Sequence, residues 1–184
     1  MTKNIKGNFG NKEVISIVLG IVGCAIFGVC VSRLSTTSEL INALFGCTWL
    51  TLFASLFGPV PGLIVGFVGA QSICYFSGNS EWLILALGVS CYGFFIGRYK
   101  EKYGILEGRF NKKTVALFSM TQTFASICYY SIFYPLFKIF VYKGFIYDEI
   151  RRGTMYSLCI IVCAQVILIP FFFFLSKFLK KRSA

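Results

Sequence analysis

Hydrophobic residues occur along this chain in five long runs that contain no charged residue. The runs are residues 14–32, 40–80, 82–97, 114–137 and 153–176. A helix needs about 20 apolar residues to cross a bilayer, so four of the runs fit one helix each and the run 40–80 fits two. The sequence Gly58-Pro59-Val60-Pro61-Gly62 supplies a break inside that longer run. The pattern therefore predicts six transmembrane helices.

These helices define one predicted all-α integral membrane domain that covers residues 1–184. Apolar residues populate every face instead of alternate positions, which favours helices over the strands of a barrel. Pro135 is expected to break the fifth helix near one end. The first helix is expected to be retained, because no small-x-small cleavage pattern follows it. We expect the helices at about 14–31, 40–57, 61–76, 82–96, 115–137 and 154–179.

Basic residues are distributed unequally between the two sides of the predicted bundle. With the N-terminus inside, segments 1–13, 98–113 and 177–184 are cytoplasmic and carry 13 of the 18 Lys and Arg residues. Segments 33–39 and 138–152 carry the other 5. Cytoplasmic loops of membrane proteins are enriched in Lys and Arg. We therefore expect both termini in the cytoplasm and a multi-pass protein of a bacterial plasma membrane.

The composition agrees with a membrane protein, and the positions of the basic residues explain the high net positive charge. The chain is 57% hydrophobic and 14% charged, with a net charge of +11. A basic chain can bind nucleic acid, but here the basic residues flank the predicted spans, so the expected partner is the lipid bilayer and not nucleic acid. All eight cysteines lie inside predicted spans without a CxxC pair. They are expected to pack as small polarizable residues and not to bind metal.

The residues that usually carry catalysis are missing from the predicted spans. The sequence contains no His, the commonest general base and metal ligand. All seven acidic residues (13, 39, 81, 101, 107, 148 and 149) lie outside the spans, where they cannot form an intramembrane proton relay. No phosphate-binding loop motif is present. We expect no enzyme and no cofactor, which leaves a binding and translocation subunit or a structural, assembly or small channel-like protein.

Uncharged polar and aromatic residues gather on the predicted outer side. Seven of the ten Tyr residues lie there. Interfacial aromatic anchoring explains part of this set, but an outward pocket of aromatic and polar groups would suit a flat heterocyclic ligand. A buried amide such as Gln122 needs a partner, either across helices or in the ligand. The candidate substrate-binding residues are Asn42, Trp49, Gln71, Glu81, Trp82, Gln122, Tyr129, Tyr130, Lys138, Arg152 and Tyr156.

Small residues form a stripe along the first predicted helix. Gly20, Cys24 and Gly28 recur every four residues, so they share one face. Small residues at this spacing let another helix approach closely. From the residues alone, the stripe suits either packing inside this bundle or docking to a partner subunit.

The order of these features resembles a known family. The sequence LFASLFGPVPGLIVGFVG at 52–69 resembles the hairpin of helices 2 and 3 in substrate-binding S components of energy-coupling factor (ECF) transporters, nearest to the riboflavin-type group. Further similarities follow in the same order over about residues 14–180: GFFIG at 93–97, GRF at 108–110, Phe118-x3-Gln122, Pro135, Tyr142 and Gly153.

The resemblance implies a six-helix subunit that binds a vitamin-like micronutrient from the outside. It also implies partners, namely a transmembrane coupling subunit and two ABC ATPases, so the chain needs no ATPase of its own. In this family, small residues of helix 1 contact the coupling subunit. The resemblance therefore assigns the stripe of Gly20, Cys24 and Gly28 to partner docking.

The chain also departs from the family pattern. Ala70 and Cys74 stand where the family commonly has a His and an Asp, and Ser119 stands where it tends to have Asn. Lys138 and Arg152 stand where it tends to have acidic or neutral ones. Two basic groups would suit a ligand with carboxylate or phosphate character.

Overall fold

Helices account for nearly all of the chain that the structure, a computed structural model, describes. The described residues are 11–33, 38–77, 82–143 and 145–183, and no strand occurs among them. The all-α class predicted from the sequence is therefore confirmed for this part of the chain. The helices are α1 (Asn11–Arg33), α2 (Ser38–Phe57), α3 (Pro59–Ser77), α4 (Trp82–Gly97), α5 (Lys100–Tyr103), α6 (Lys112–Ser126), a π-helix (Ile127–Phe133), α7 (Tyr134–Tyr142) and α8 (Ile146–Ser183).

Polar residues extend several helices beyond the predicted apolar runs, as the beginnings of α6 and α8 show. α6 begins at Lys112, where the Asn111 side chain accepts hydrogen bonds from the backbone N–H groups of Lys113 and Thr114. α8 begins at Ile146, with Asp148 and Glu149 in its first turn. Acidic residues are favourable there because the helix dipole is positive at its N-terminus.

The predicted break at Pro135 is wrong, and a wider helical turn takes its place. α6, the π-helix and α7 follow one another without a gap, and Pro135 lies in the first turn of α7. Within the π-helix, bonds span five residues, as between the Tyr134 N–H and the Tyr129 carbonyl. Pro135 has no N–H to continue this pattern to Tyr130. Pro135 therefore ends the π-helix, but the helical segment continues into α7 without a break.

Two segments of the described chain are long and apolar enough to cross a membrane by length and composition. They are the helical stretches Lys112–Val141 and Ile146–Lys181. Four further apolar helices are shorter, with their apolar parts at Val14–Ile26, Ala43–Phe57, Pro59–Ser72 and Ala86–Gly97. The count of six spans and the cytoplasmic termini remain predictions.

Glycines bring α3 and α4 into backbone contact. A methyl group added at Gly62 would lie 2.5 Å from the Gly93 carbonyl oxygen, and one at Gly97 would lie 2.5 Å from the Gly58 carbonyl carbon. Gly58 also has a φ of +105°, which L side chains rarely adopt. The Gly-Pro sequence predicted as a turn is therefore a tight hairpin with α4 pressed against it.

The small residues of α1 face the interior of the same chain. A methyl group at Gly20 would lie 2.6 Å from Val65 Cγ2, and one at Gly69 would lie 2.7 Å from Cys24 Sγ. Cys24 is buried. This placement is against the docking role inferred for Gly20 and Cys24, because a partner could not reach them, and it supports packing inside the bundle. Gly28 lies on the same helix, and its docking role stays a prediction.

Aromatic packing joins the connection after α4 to the far end of α8. Phe110 contacts Phe172 and Phe118 edge to face, with ring centroids 5.7 and 6.5 Å apart. The Phe110 N–H also donates to Ser176 Oγ at 3.1 Å. Tyr103 is wholly buried against Phe118, and this burial raises the pKa of its hydroxyl well above the ordinary value. The segment predicted as a basic cytoplasmic loop is thus an ordered cap on the bundle.

Candidate functional site

A group of neutral polar side chains lies buried near the middle of the bundle. We call Cys47, Thr51, Tyr92, Gln122 and Tyr130 the interior polar cluster. Gln122 Nε2 donates to Tyr92 Oη at 2.5 Å, and Thr51 Oγ1 donates to Gln122 Oε1 at 3.3 Å. A hydrogen bond of 2.8 Å joins Cys47 Sγ to Tyr130 Oη. Every member of the cluster is at least 98% buried.

The cluster connects two parts of the chain that are far apart in sequence. Cys47 and Thr51 lie one turn apart on α2, and Tyr92 lies on α4. Gln122 comes from α6 and Tyr130 from the π-helix. A buried polar group is costly unless it is hydrogen-bonded, so these contacts hold the two parts in a defined arrangement.

Four tyrosines form a wall between the interior polar cluster and the end of the bundle where α7 leads into α8. Tyr129 and Tyr130 have ring centroids 4.5 Å apart, and Tyr134 and Tyr156 have theirs 6.4 Å apart. Tyr130 also meets Tyr156 edge to face at 6.5 Å. We call these four residues the tyrosine wall. Aromatic rings at such spacings present large, rigid apolar surfaces with polar tips.

Two glycines make the tyrosine wall possible. Any side chain at Gly88 of α4 would overlap the ring of Tyr129. A methyl group at Gly153 of α8 would overlap the Tyr130 carbonyl oxygen and lie 2.7 Å from Pro135 Cγ. The absence of a Cβ at both positions therefore lets α4 and α8 close on the π-helix from two sides.

The structure brings together four of the eleven residues predicted to bind substrate. Gln122, Tyr129, Tyr130 and Tyr156 belong to the interior polar cluster or the tyrosine wall. The π-helix places Tyr129 and Tyr130 side by side in the core.

Other predicted residues lie elsewhere or outside the described part. Trp49 faces α1, where its Nε1 donates to the Gly20 carbonyl at 3.1 Å, and its role in substrate binding stays a prediction. Gln71 is half-buried on α3 and makes no hydrogen bond to the described members of the cluster. Glu81 and the side chains of Asn42 and Trp82 lie outside the described residues.

The two basic residues predicted to recognise an anionic ligand do not converge on a buried position. Arg152 is exposed. Lys138 is half-buried, with its Nζ 5.5 Å from the centroid of the Tyr134 ring, a cation–π arrangement. Lys138 therefore lies at the edge of the tyrosine wall, and Arg152 does not contribute to its interior.

Three members of the cluster were not among the predicted residues. Cys47 and Thr51 are four residues apart on one predicted helix, and Tyr92 is the only tyrosine in the third apolar run, 82–97. Polar groups spaced by one turn in an apolar helix signal a polar face. That signal was present, but only the structure shows that the face meets Gln122 and Tyr130.

The chemistry of this site is that of neutral hydrogen bonding and aromatic contact. Its amide, hydroxyl and thiol groups can both donate and accept hydrogen bonds. Among the described residues, no group of three or more His, Cys, Asp or Glu side chains is arranged to hold a metal ion. Such a site suits the binding of a small polar aromatic molecule better than acid–base chemistry.

Comparison with known proteins gives this arrangement a context. The family model described as the ECF-type riboflavin transporter S component matches residues 11–177. A UPF0397 protein of Aliivibrio fischeri strain MJ11 is 29% identical over 95% of this chain and 94% of its own length. A UPF0397 protein of Leuconostoc citreum strain KM20 is 30% identical over 76% of this chain and 75% of its own length. No solved structure matches the chain.

Proposed function

We propose a specific role for this chain, which belongs to the family of ECF-type riboflavin transporter S components and is therefore a membrane substrate-binding subunit of a transporter. In this role it captures a vitamin or related micronutrient at the outer face of a bacterial plasma membrane. It then delivers the ligand inward together with a transmembrane coupling subunit and two ABC ATPases.

The observation that carries this proposal is the interior polar cluster with its adjoining tyrosine wall. Neutral hydrogen-bonding groups from α2, α4, α6 and the π-helix meet in a buried position between apolar helices. Polar groups inside a membrane are costly, and in many membrane proteins they mark a substrate path. The tyrosine wall adds flat surfaces on which a heterocyclic ring can stack.

The position of the cluster between two parts of the bundle also suits a binding subunit. α1, α3 and α4 are fastened together by glycine contacts, whereas the cluster links α2 and α4 to α6 and the π-helix through side chains. Side-chain hydrogen bonds can be exchanged for bonds to a ligand without unfolding either part. Entry of a ligand between the two parts would then replace contacts such as that between Gln122 and Thr51.

The energy for transport must come from other subunits in this proposal. The sequence has no phosphate-binding loop, and all its acidic residues lie outside the apolar runs. This chain therefore has neither an ATP-binding motif nor an acidic ion relay in its apolar runs. In this proposal the separate ATPases supply the energy.

Purification of the tagged protein from its native host in mild detergent tests the proposal. Mass spectrometry of the eluate should identify a membrane coupling subunit, two ABC ATPases and a retained small molecule. A known S component purified in parallel is the control that the detergent preserves such complexes. Recovery of the chain alone, while the control keeps its partners and ligand, would contradict the proposal.

A further inference from the structure

Glu149 is a carboxylate in an unusual position near the tyrosine wall. It lies in the first turn of α8 and is 8% exposed. Its Oε2 oxygen is buried and accepts no hydrogen bond from the described residues, and no described basic side chain forms an ion pair with it. A buried carboxylate without a donor or a counter-charge is strongly unfavourable. The free protein therefore leaves this oxygen without a hydrogen-bond donor among its described groups.

The surroundings of Glu149 connect it to the candidate site. Glu149 lies one turn before Gly153 on α8, about 6 Å along the axis. Gly153 rests against the Tyr130 carbonyl and Pro135. Tyr156, two turns after Glu149 on the same helix, contacts Tyr134 and Tyr130. Glu149 thus lies just beyond the tyrosine wall, on the side away from the interior polar cluster.

Stabilisation of the helix N-terminus does not account for this burial. An acidic residue in the first turn interacts favourably with the helix dipole whether or not it is exposed. Asp148, the preceding residue, has the same charge in the same turn and is exposed. The helix dipole therefore accounts for an acidic residue at position 148. It does not account for the burial of the Glu149 side chain.

We infer that Glu149 receives a positively charged or amino-bearing group of the transported substrate, an inference that rests on the proposed function. An amidinium or protonated amino group would bring an N–H donor to the Oε2 oxygen and a positive charge to the carboxylate. The aromatic part of the same ligand can then lie along the tyrosine wall. Lys138 and Arg152 led us to expect an anionic ligand, whereas Glu149 favours a cationic one. We give Glu149 more weight because it is buried, while Lys138 is half-buried and Arg152 is exposed.

Three ring compounds of matched size test the inference on the complete protein in detergent. Benzamidine carries a positive charge, benzamide is neutral and benzoate is negative. Binding is measured by the ligand-dependent shift of the thermal unfolding temperature at equal concentrations. We expect benzamidine to bind roughly tenfold more tightly than benzamide, since a charged hydrogen-bonded pair discriminates by about this factor, and benzoate to bind least.

Two variants separate recognition from a general charge effect. Glu149→Gln should lose the preference for benzamidine, and without ligand it should unfold at a temperature equal to or above that of the wild type, because a neutral amide costs less to bury. Asp148→Asn removes the same charge from the same turn and should keep the preference. A wild type that responds equally to all three compounds, or to none, overturns the inference, as does a Glu149→Gln variant that keeps the preference.

The same preparations distinguish this inference from the proposed function. The coupling subunit and ATPases should co-purify with the wild type and with both variants, since this inference assigns Glu149 to the ligand and not to a partner. Recovery of these partners without a preference for benzamidine would reject the inference alone. Failure to recover them, with a working control, would reject the proposed function.

Discussion

At the scale of single residues, two of the three glutamines inside the apolar runs have different surroundings. Gln122 is wholly buried and bonds to Tyr92 and Thr51. Gln165 is half-buried on α8, and its Nε2 donates to Thr123 Oγ1 at 3.2 Å and to the Ser119 carbonyl at 3.4 Å. The sequence pattern does not distinguish the two amides. In the structure, Gln122 belongs to the candidate site, whereas Gln165 joins α8 to α6.

Gln122→Leu should weaken ligand binding while the protein still folds. Leu fills a similar volume, but it leaves the Tyr92 and Thr51 hydroxyls without their amide partner, at a cost of about 1–3 kcal/mol. Retention of the native small molecule, measured by mass spectrometry after purification, should fall at least tenfold. Gln165→Leu is the matched control and should retain the ligand. Equal retention in both variants would remove Gln122 from the site.

Gly153→Ala should destabilise the protein although it adds only one methyl group. That methyl would overlap the Tyr130 carbonyl oxygen and press on Pro135, so α8 would have to move away from the π-helix. Overpacking of this kind costs about 1–3 kcal/mol. The unfolding temperature in detergent should fall clearly for Gly153→Ala and stay nearly unchanged for Thr154→Ala, whose side chain is exposed. An unchanged temperature for Gly153→Ala would show that this contact is not tight in the protein.

At the scale of helices, the two sides of α1 have separate roles. Its small residues meet α2 and α3 at Trp49, Val65 and Gly69. Its large apolar residues point outwards, with exposures from 40% at Val29 to 58% at Ile15. In a bilayer these outward residues can face lipid or a partner subunit. The sequence pattern identifies the small stripe but not the direction in which it points.

Gly20→Leu should disturb folding instead of removing only a partner contact. The added side chain would collide with Val65 and Phe53 inside the bundle, so the unfolding temperature and ligand binding should fall together. Val18→Leu, on the exposed face of α1, should leave both unchanged. A Gly20→Leu protein that is as stable as the wild type and binds ligand, yet fails to co-purify with the coupling subunit, would restore the docking role of the stripe.

At the scale of the whole molecule, the distribution of basic residues predicts which end of the bundle faces the cytoplasm. The connection 98–111 packs on the end of α8 through Phe110 and Ser176, so both elements belong to the same end. The exposed basic residues there include Lys113, Lys177 and Lys181. The opposite end carries the turn between α7 and α8, Glu149 and the nearby tyrosine wall. This arrangement suits capture of ligand from outside.

Labelling of single cysteines in intact cells tests this orientation. In a variant with the native cysteines replaced, Phe145→Cys should react with a membrane-impermeant maleimide, because Phe145 is exposed at the predicted outer end. Lys113→Cys should react only after the cells are opened. The reverse pattern would invert the predicted topology, and with it the direction of substrate capture.

The all-α class, the approximate positions of the main helices and the family could be predicted from the amino-acid sequence. These properties follow from local features: apolar runs long enough for helices, Gly and Pro at the hairpin, and the order of short motifs along the chain. It also identified Gln122, Tyr129, Tyr130 and Tyr156 as candidates, because polar and aromatic residues stand out in an apolar chain.

Which of these residues meet, and which face of its helix each one occupies, depends on how the helices pack together. Cys47 and Tyr130 are 83 residues apart, and no local pattern specifies a contact over that distance. The π-helix before Pro135, the inward direction of Gly20 and Cys24, and the burial of Glu149 next to the exposed Asp148 depend on how helices pack against each other. Packing is a property of pairs of surfaces, so a pattern along one helix defines a stripe but not the neighbour that the stripe will meet.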